Sequence, residues 1–161
     1  MQRTPKDLGF VYDEGGECGN RWILYRCVEV DRDYSESLLS DSGIVRCECL
    51  RVSFREAVSR NLVTYWSYFE DCDFGGADLS GADFRACRFS RCCFDRAILR
   101  QTELRGCDFV QYSFQDADLT DAKAGLLQSH LMGLSKKQRK QVTKTVIACT
   151  LLGWPKVPPG G

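Results

Sequence analysis

The chain has a single histidine, His130, no acidic residue after Asp121, and no apolar run approaching the length of a membrane span. Scarce histidine removes the residue most often used for general acid–base catalysis. His130 lies in a short apolar stretch with no evident partner and reads as a packing or surface residue. No charged, apolar and small-residue order of a signal peptide opens the chain, so a cytoplasmic location is expected. Phosphate-cradling glycine patterns are missing as well, since Gly75-Gly76 and Gly81 read as corner residues. Adjacent Cys92 and Cys93 give no metal-ligand spacing, because neighbours on an extended chain point to opposite sides. Neither cofactor, metal nor catalysis is expected. What remains is 161 residues with 43% apolar content, enough for one core.

The positive signal is a period of five. From Phe69 to Leu119 every fifth residue is Phe or Leu: Phe69, Phe74, Leu79, Phe84, Phe89, Phe94, Leu99, Leu104, Phe109, Phe114, Leu119. Helices repeat near 3.6 residues and half-buried strands at 2, so this row belongs to neither. A unit this short cannot bury its own apolar face and must stack on its neighbours. Two residues before most of these positions stands a small residue, among them Cys72, Ala77, Ala82, Cys87, Cys92, Ala97, Cys107 and Ala117. On an extended segment that spacing puts both side chains on one side.

The uninterrupted stretch "GGADLSGADFRACRFSRCCFDRAILRQTELRGCDFVQYSFQDADLTDA" resembles the pentapeptide-repeat family, whose unit reads Ala-Asp-Leu-x-x or Ala-Asp-Phe-x-x. The resemblance implies an all-β solenoid, a right-handed quadrilateral β-helix of about four coils, with four units per coil. Positions 20 apart should then stack. Phe54, Phe74, Phe94 and Phe114 form one such column, Phe69, Phe89 and Phe109 a second, and Leu79, Leu99 and Leu119 a third. Small residues form columns too: Ala57, Ala77, Ala97, Ala117, and Cys47, Ser67, Cys87, Cys107. The columns carry the solenoid back to residue 47, with Ser59 and Thr64 in place of large residues.

Three regions follow from this reading: 1–46 as an N-terminal cap or β segment, 47–122 as the β-helix, and 123–161 as a C-terminal helical cap and tail. In the first, Arg21 to Val30 reads as one strand covering the open end of the stack, with Trp22 and Tyr25 as its alternative partner-binding residues. In the last, helical spacing starts at Ala124, and Ser135 with Gln138 forms a capping-box pattern for a helix expected to reach Leu152. "GLSKKQ" and the later Trp154-Pro155 resemble the helical tail of the family.

Ten cysteines suggest disulfides, but Cys47, Cys72, Cys87, Cys92 and Cys107 fall at the small inward position, where a thiol packs like an alanine. They are expected to be structural and reduced. Cys93, on the outward register, is the expected reactive thiol.

Function is expected from the surface. Net charge is zero, yet residues 69–122 carry 6 basic and 11 acidic side chains, and residues 123–161 carry 7 basic and none acidic. A non-catalytic protein-binding module that modulates or inhibits a macromolecular partner is the leading reading, with Asp73, Asp78, Asp83, Glu103, Asp108, Asp118, Arg85 and Arg105 as candidate contacts. Family members that bind type II topoisomerases resemble DNA, so the resemblance implies a narrower form: inhibition of a topoisomerase or nuclease complex by partial DNA mimicry. Interleaved arginines here partly cancel the required field. The alternatives are nucleic-acid or anion binding through Lys136, Lys137, Arg139, Lys140 and Lys144, and a structural homodimer. No membrane partner is expected.

Overall fold

The computed structural model describes residues 22–125 and 133–145. Its backbone repeats every five residues without a gap. At each fifth position from Arg26 to Asp121 the chain turns a corner with φ between 51° and 74°. Seventeen of these corners are not glycine, although left-handed backbone disfavours a Cβ. Hydrogen bonds to the next coil offset that cost: the corner amides of Glu56, Gly76 and Arg96 donate to Gly75, Asp95 and Gln115 carbonyls at 2.8–2.9 Å.

Between corners, side chains point in, out, in and out, which is strand alternation cut to one short side. Four sides close a coil of 20 residues. Face 1 is a five-stranded parallel sheet of β2 (Val28–Val30), β4 (Glu48–Leu50), β5 (Tyr68–Glu70), β6 (Arg88–Ser90) and β7 (Asp108–Val110), so the chain makes four full turns from its first rung to its last. Register is in steps of 20, as in Phe69 opposite Phe89 and Phe89 opposite Phe109. Faces 2 and 3 are held by single parallel bridges, such as Asp73 with Cys93 and Asp78 with Ile98. Face 4 starts with β1 (Ile23–Tyr25) beside β3 (Gly43–Val45), then steps through Val63, Asp83 and Glu103 to β8 (Lys123–Gly125).

The columns expected from the sequence are present. Phe54, Phe74, Phe94 and Phe114 stack face to face at 4.8–4.9 Å, and Phe69, Phe89 and Phe109 at 5.0–5.1 Å. The two columns meet edge to face, as in Phe89 with Phe94 at 5.2 Å, an arrangement that adds to the burial of each ring. Leu79, Leu99 and Leu119 and the alanine column are buried on face 3. Six of the eight cysteines among the described residues are buried, and all eight are free thiols.

Two boundaries differ from expectation. The coils extend back beyond residue 47: residues 22–46 have the same corners, bridges and 20-residue register as the rest. In place of the one strand expected over Arg21–Val30, residues 22–30 hold two rungs, β1 and β2, on adjacent faces with the Arg26 corner between them. The motif fades because Trp22, Glu29, Tyr34, Ser37 and Ser42 occupy inward positions. Polar groups of this segment meet inside the stack: Tyr34 Oη donates to Glu29 Oε2 at 2.8 Å, and Ser42 Oγ accepts the Trp22 amide at 3.2 Å. Residues 1–21 lie outside the described residues.

The C-terminal helix is also shorter. Ser135 caps α1 (Lys136–Gln141) through the expected capping box, but the helix stops at Gln141 and the chain enters β9 (Thr143–Thr145). β9 pairs in parallel with β8, Lys123 opposite Thr143, again 20 residues apart. The exposed last rung offers unpaired backbone groups, and β-branched threonines suit a strand that satisfies them. Gln138 pins the helix to the coil below by donating to the carbonyls of Phe114 and Ala117 at 2.6 and 3.2 Å. His130 and the tail beyond 145 lie outside the described residues.

Candidate protein-binding surface

The eight candidate contacts do not share one surface. Asp108 stands on face 1, Asp73 on face 2, Asp78 and Asp118 on face 3, and Asp83, Arg85, Glu103 and Arg105 on face 4. All six acids sit at the outward position between two inward side chains. That position has a local structural use. One oxygen of Asp73, Asp78, Asp83 and Asp118 accepts the backbone N–H two residues on, at 2.8–3.1 Å, closing an Asx turn at the corner.

Every one of the six is also ion-paired with an arginine. Arg55 meets Asp73 at 3.0 Å, Arg60 meets Asp78 at 2.6 Å, and Arg100 meets Asp118 at 2.6 Å, each reaching one coil along the stack. Arg88 meets Asp108 at 3.4 Å. On face 4, Arg85 and Arg105 fold back on Asp83 and Glu103 of their own units, at 2.6 and 2.5 Å. Burial alone would raise the Asp83 and Asp78 carboxyls. Hydrogen bonds from Arg85 to the first, and from Ser80 and Arg60 to the second, outweigh it and hold both below the usual carboxylate range. At these six positions the outward charges are therefore matched one to one with arginine.

The basic helix is arranged differently. Lys136, Lys137, Arg139 and Lys140 are all exposed, and no acidic residue stands in its first turn. Only Lys137 among them lines the cleft of about 630 Å³ between α1 and the last coil, together with Ser135, Gln138, Gln141 and Asp118. Lys144 lies in β9, opposite Ala124.

Cys93 is half-buried, and burial with the nearby Asp95 and Asp73 pushes its thiol up, away from the thiolate a reactive cysteine needs. Of the two N-terminal aromatics, Trp22 is buried at 1% exposure while Tyr25 is open. No group of three or more His, Cys, Asp and Glu residues is placed to hold a metal among the described residues, and no helix among them is long and apolar enough to cross a membrane.

Of one further cluster the sequence singles out only Tyr25. On the first three rungs of face 4 the outward residues are Ile23, Tyr25, Val45, Val63 and Tyr65, with Trp66 at the corner, and most of them are exposed. The signal was available once the five-residue register is carried back to Trp22, because these are the outward positions of their units.

A five-residue unit, a left-handed corner in every unit and a return every 20 residues define a quadrilateral β-helix. Residues 65–101 and 92–124 match the family model for pentapeptide repeats (8 copies), so this stretch is built of pentapeptide repeats. No curated protein matches the chain. Solved structures do. HetL, a pentapeptide repeat protein involved in heterocyst differentiation regulation in the cyanobacterium Nostoc sp. strain PCC 7120, is 25% identical over 65% of this chain and 51% of its own, with a TM-score of 0.42. The chain thus spans about half the length of HetL. A pentapeptide repeat protein of the Arabidopsis thaliana thylakoid lumen is 24% identical over 80% of this chain and 77% of its own, with a TM-score of 0.35. A trypsin-treated form of QnrB1, a plasmid-mediated fluoroquinolone resistance protein, is 13% identical over 83% of this chain and 88% of its own, with a TM-score of 0.40.

Proposed function

We propose that this protein is a non-catalytic protein-binding module that modulates a macromolecular partner through the outward side chains of its coils. The observation that carries this reading is the division of face 4 into two adjoining blocks. Asp83, Arg85, Glu103 and Arg105 form a matched charge cluster on two neighbouring rungs, and Tyr25, Val63, Tyr65 and Trp66 form an apolar block on the rungs before them. A continuous core fixes the spacing of both blocks, so little ordering cost is left for binding.

In this reading recognition depends on pattern and shape. A nucleic-acid mimic needs a potential of one sign, since phosphate-binding proteins gain much of their affinity from charge neutralisation. The pairing of all six candidate acids with arginine opposes that, and it supports recognition by complementary contacts over mimicry by an anionic rod.

A salt titration beside affinity capture tests the proposal. The expected outcome is stable capture of a protein from the native cell and no binding to duplex DNA. Direct DNA binding that weakens steeply with salt, and vanishes on replacing Lys136, Lys137, Arg139 and Lys140 by alanine, would overturn it in favour of the basic helix. Light scattering that shows a dimer lost on deleting residues 135–161 would overturn it in favour of a structural homodimer.

A further inference from the structure

We infer that the first three rungs of face 4 are a docking site for a linear segment of a partner protein that combines apolar side chains with carboxylates. This inference rests on the protein-binding reading above and assigns it a surface and a ligand chemistry.

The site is built by register. Ile23, Gly43 and Val63 succeed one another along the face through parallel bridges, and Gly43, having no side chain, lets Ile23 lie over it, so that Ile23 and Val63 make one aliphatic row. A Cβ at residue 43 would meet Ile23 Cγ2 and the Val63 carbonyl at 3.7 Å, and Gly43 itself is buried, so the neighbouring side chains cover the backbone there. Tyr25, Val45 and Tyr65 form a second row beside the first. Tyr25 is 57% exposed, Trp66 54% and Ile23 52%, a concentration of large apolar groups seen nowhere else on the outward rows of the described coils. Contiguous patches of this kind mark interaction sites, and Trp, Tyr and Arg are the side chains that dominate binding energy.

Charge specifies the ligand. Arg26 and Arg46 occupy the corner beside the patch, and their guanidinium groups lie 5.8 Å from the Tyr25 ring centre and 5.4 Å from the Trp66 ring centre. Neither forms an ion pair among the described residues, whereas Arg85 and Arg105 further along the same face are each closed on an acid. The patch therefore presents two unneutralised cations against apolar surface, and carboxylates complement them. A polyanion fits less well: two cations neutralise little of a phosphate backbone, the aliphatic rows offer nothing to it, and Glu48 stands two residues beyond Arg46. A second copy also fits less well. Three rungs about 4.8 Å apart, each presenting about three extended residues at about 3.3 Å, make a face on the order of 10 Å by 10 Å, well short of the roughly 800 Å² that each partner gives a stable dimer.

The test is selection from a display library of random linear peptides on the full chain, followed by affinity measurement with the selected peptides. Peptides rich in Asp or Glu together with aromatic or aliphatic residues are expected. Trp66→Ala should weaken them by about tenfold or more. The double charge reversal Arg26→Glu with Arg46→Glu should redirect the selection to Lys- and Arg-rich peptides. Glu36 and Glu56 already hold this corner conformation, so the coil accommodates the exchange. Selected peptides that bind both variants unchanged but are lost on Asp83→Asn with Glu103→Gln would overturn this site while leaving the protein-binding reading in place. Binding of an oligo-dT probe that is abolished by Trp66→Ala would assign the patch to single-stranded nucleic acid. Dimerisation abolished by the same substitution would assign it to a second copy. A library that yields no binder overturns the docking site, and the broader reading is judged separately by the capture experiment.

Discussion

Arg100 and Asp118 stand 18 residues apart in sequence and meet across one coil step, Arg100 Nε donating to Asp118 Oδ2 at 2.6 Å. The other oxygen, Oδ1, accepts the Thr120 hydroxyl at 2.6 Å and its amide at 3.0 Å. The Thr120 hydroxyl is the largest influence, Arg100 the next, and together they hold the carboxyl down at about 2. A carboxyl depressed in the folded state contributes stability above its unfolded value of roughly 3.9 and loses it as pH falls through the folded value. Asp118→Asn should therefore lower stability at neutral pH and flatten its decline between about pH 5 and 2. Urea midpoints measured across that range check both expectations.

Phe94 is the middle of two face-to-face stacks, with Phe74 and with Phe114. Phe94→Ala should cost about 3–5 kcal/mol, while Arg96→Ala, at an exposed corner two residues on, should stay within about 0.5 kcal/mol. Similar losses from both in chemical denaturation would contradict the inward register.

Ser59 occupies the leucine column of face 3, buried at 1% exposure, and its hydroxyl has no hydrogen-bond partner among the described residues. Ser67 is equally buried but donates to the Ile44 carbonyl at 2.8 Å and accepts the Cys47 amide at 3.2 Å. Removing an unsatisfied hydroxyl relieves a desolvation penalty, whereas removing a used one strands its partners. Ser59→Ala should gain about 1 kcal/mol and Ser67→Ala should lose about 1–3 kcal/mol, read from the same denaturation curves.

Gly81 turns its corner at φ 70°, and a Cβ there would come within 2.6 Å of Asn61 Oδ1. Ala86 turns the next corner at φ 55° with its Cβ in place. Gly81→Ala should destabilise by about 1–2 kcal/mol, and Ala86→Gly should be neutral or gain up to about 1 kcal/mol. Opposite signs in thermal unfolding are the expected result.

Burial raises the Cys27 thiol to about 12, helped by Cys47 at 3.3 Å, and the Cys93 thiol shifts in the same direction. With six further thiols buried, no more than four of the ten cysteines should react quickly with Ellman's reagent in the native protein. All ten should react at once in denaturant. Fast native reaction of most thiols would contradict the packing role.

The columns were legible because a buried Phe or Leu every fifth residue is a strong constraint with few geometric solutions. Residues 22–46 were not, since the motif is written in inward side chains and here those are Trp22, Glu29 and Tyr34. The backbone rule underneath, a left-handed corner and a ladder of amides, has no residue signature when Arg, Asp and Glu hold the corners. The end of α1 was hidden for another reason. Val142 and Val146 continue a helical pattern, while the need to pair the open edge of Lys123–Gly125 is visible only in three dimensions. At the surface, the acids and arginines were legible as types, but their one-to-one matching depends on which coil each arginine reaches.

The step from β8 to β9 keeps the count of 20 even though a helix lies within it. That count works as a gear ratio. Insertion or deletion of one five-residue unit would advance everything after it by a quarter turn, carrying Asp83 and Glu103 to a neighbouring side and parting them from the aromatic block before them. A change of 20 residues would lengthen the stack and leave every side facing as before. The surface of this protein can thus be reset by length alone, with no exposed side chain exchanged.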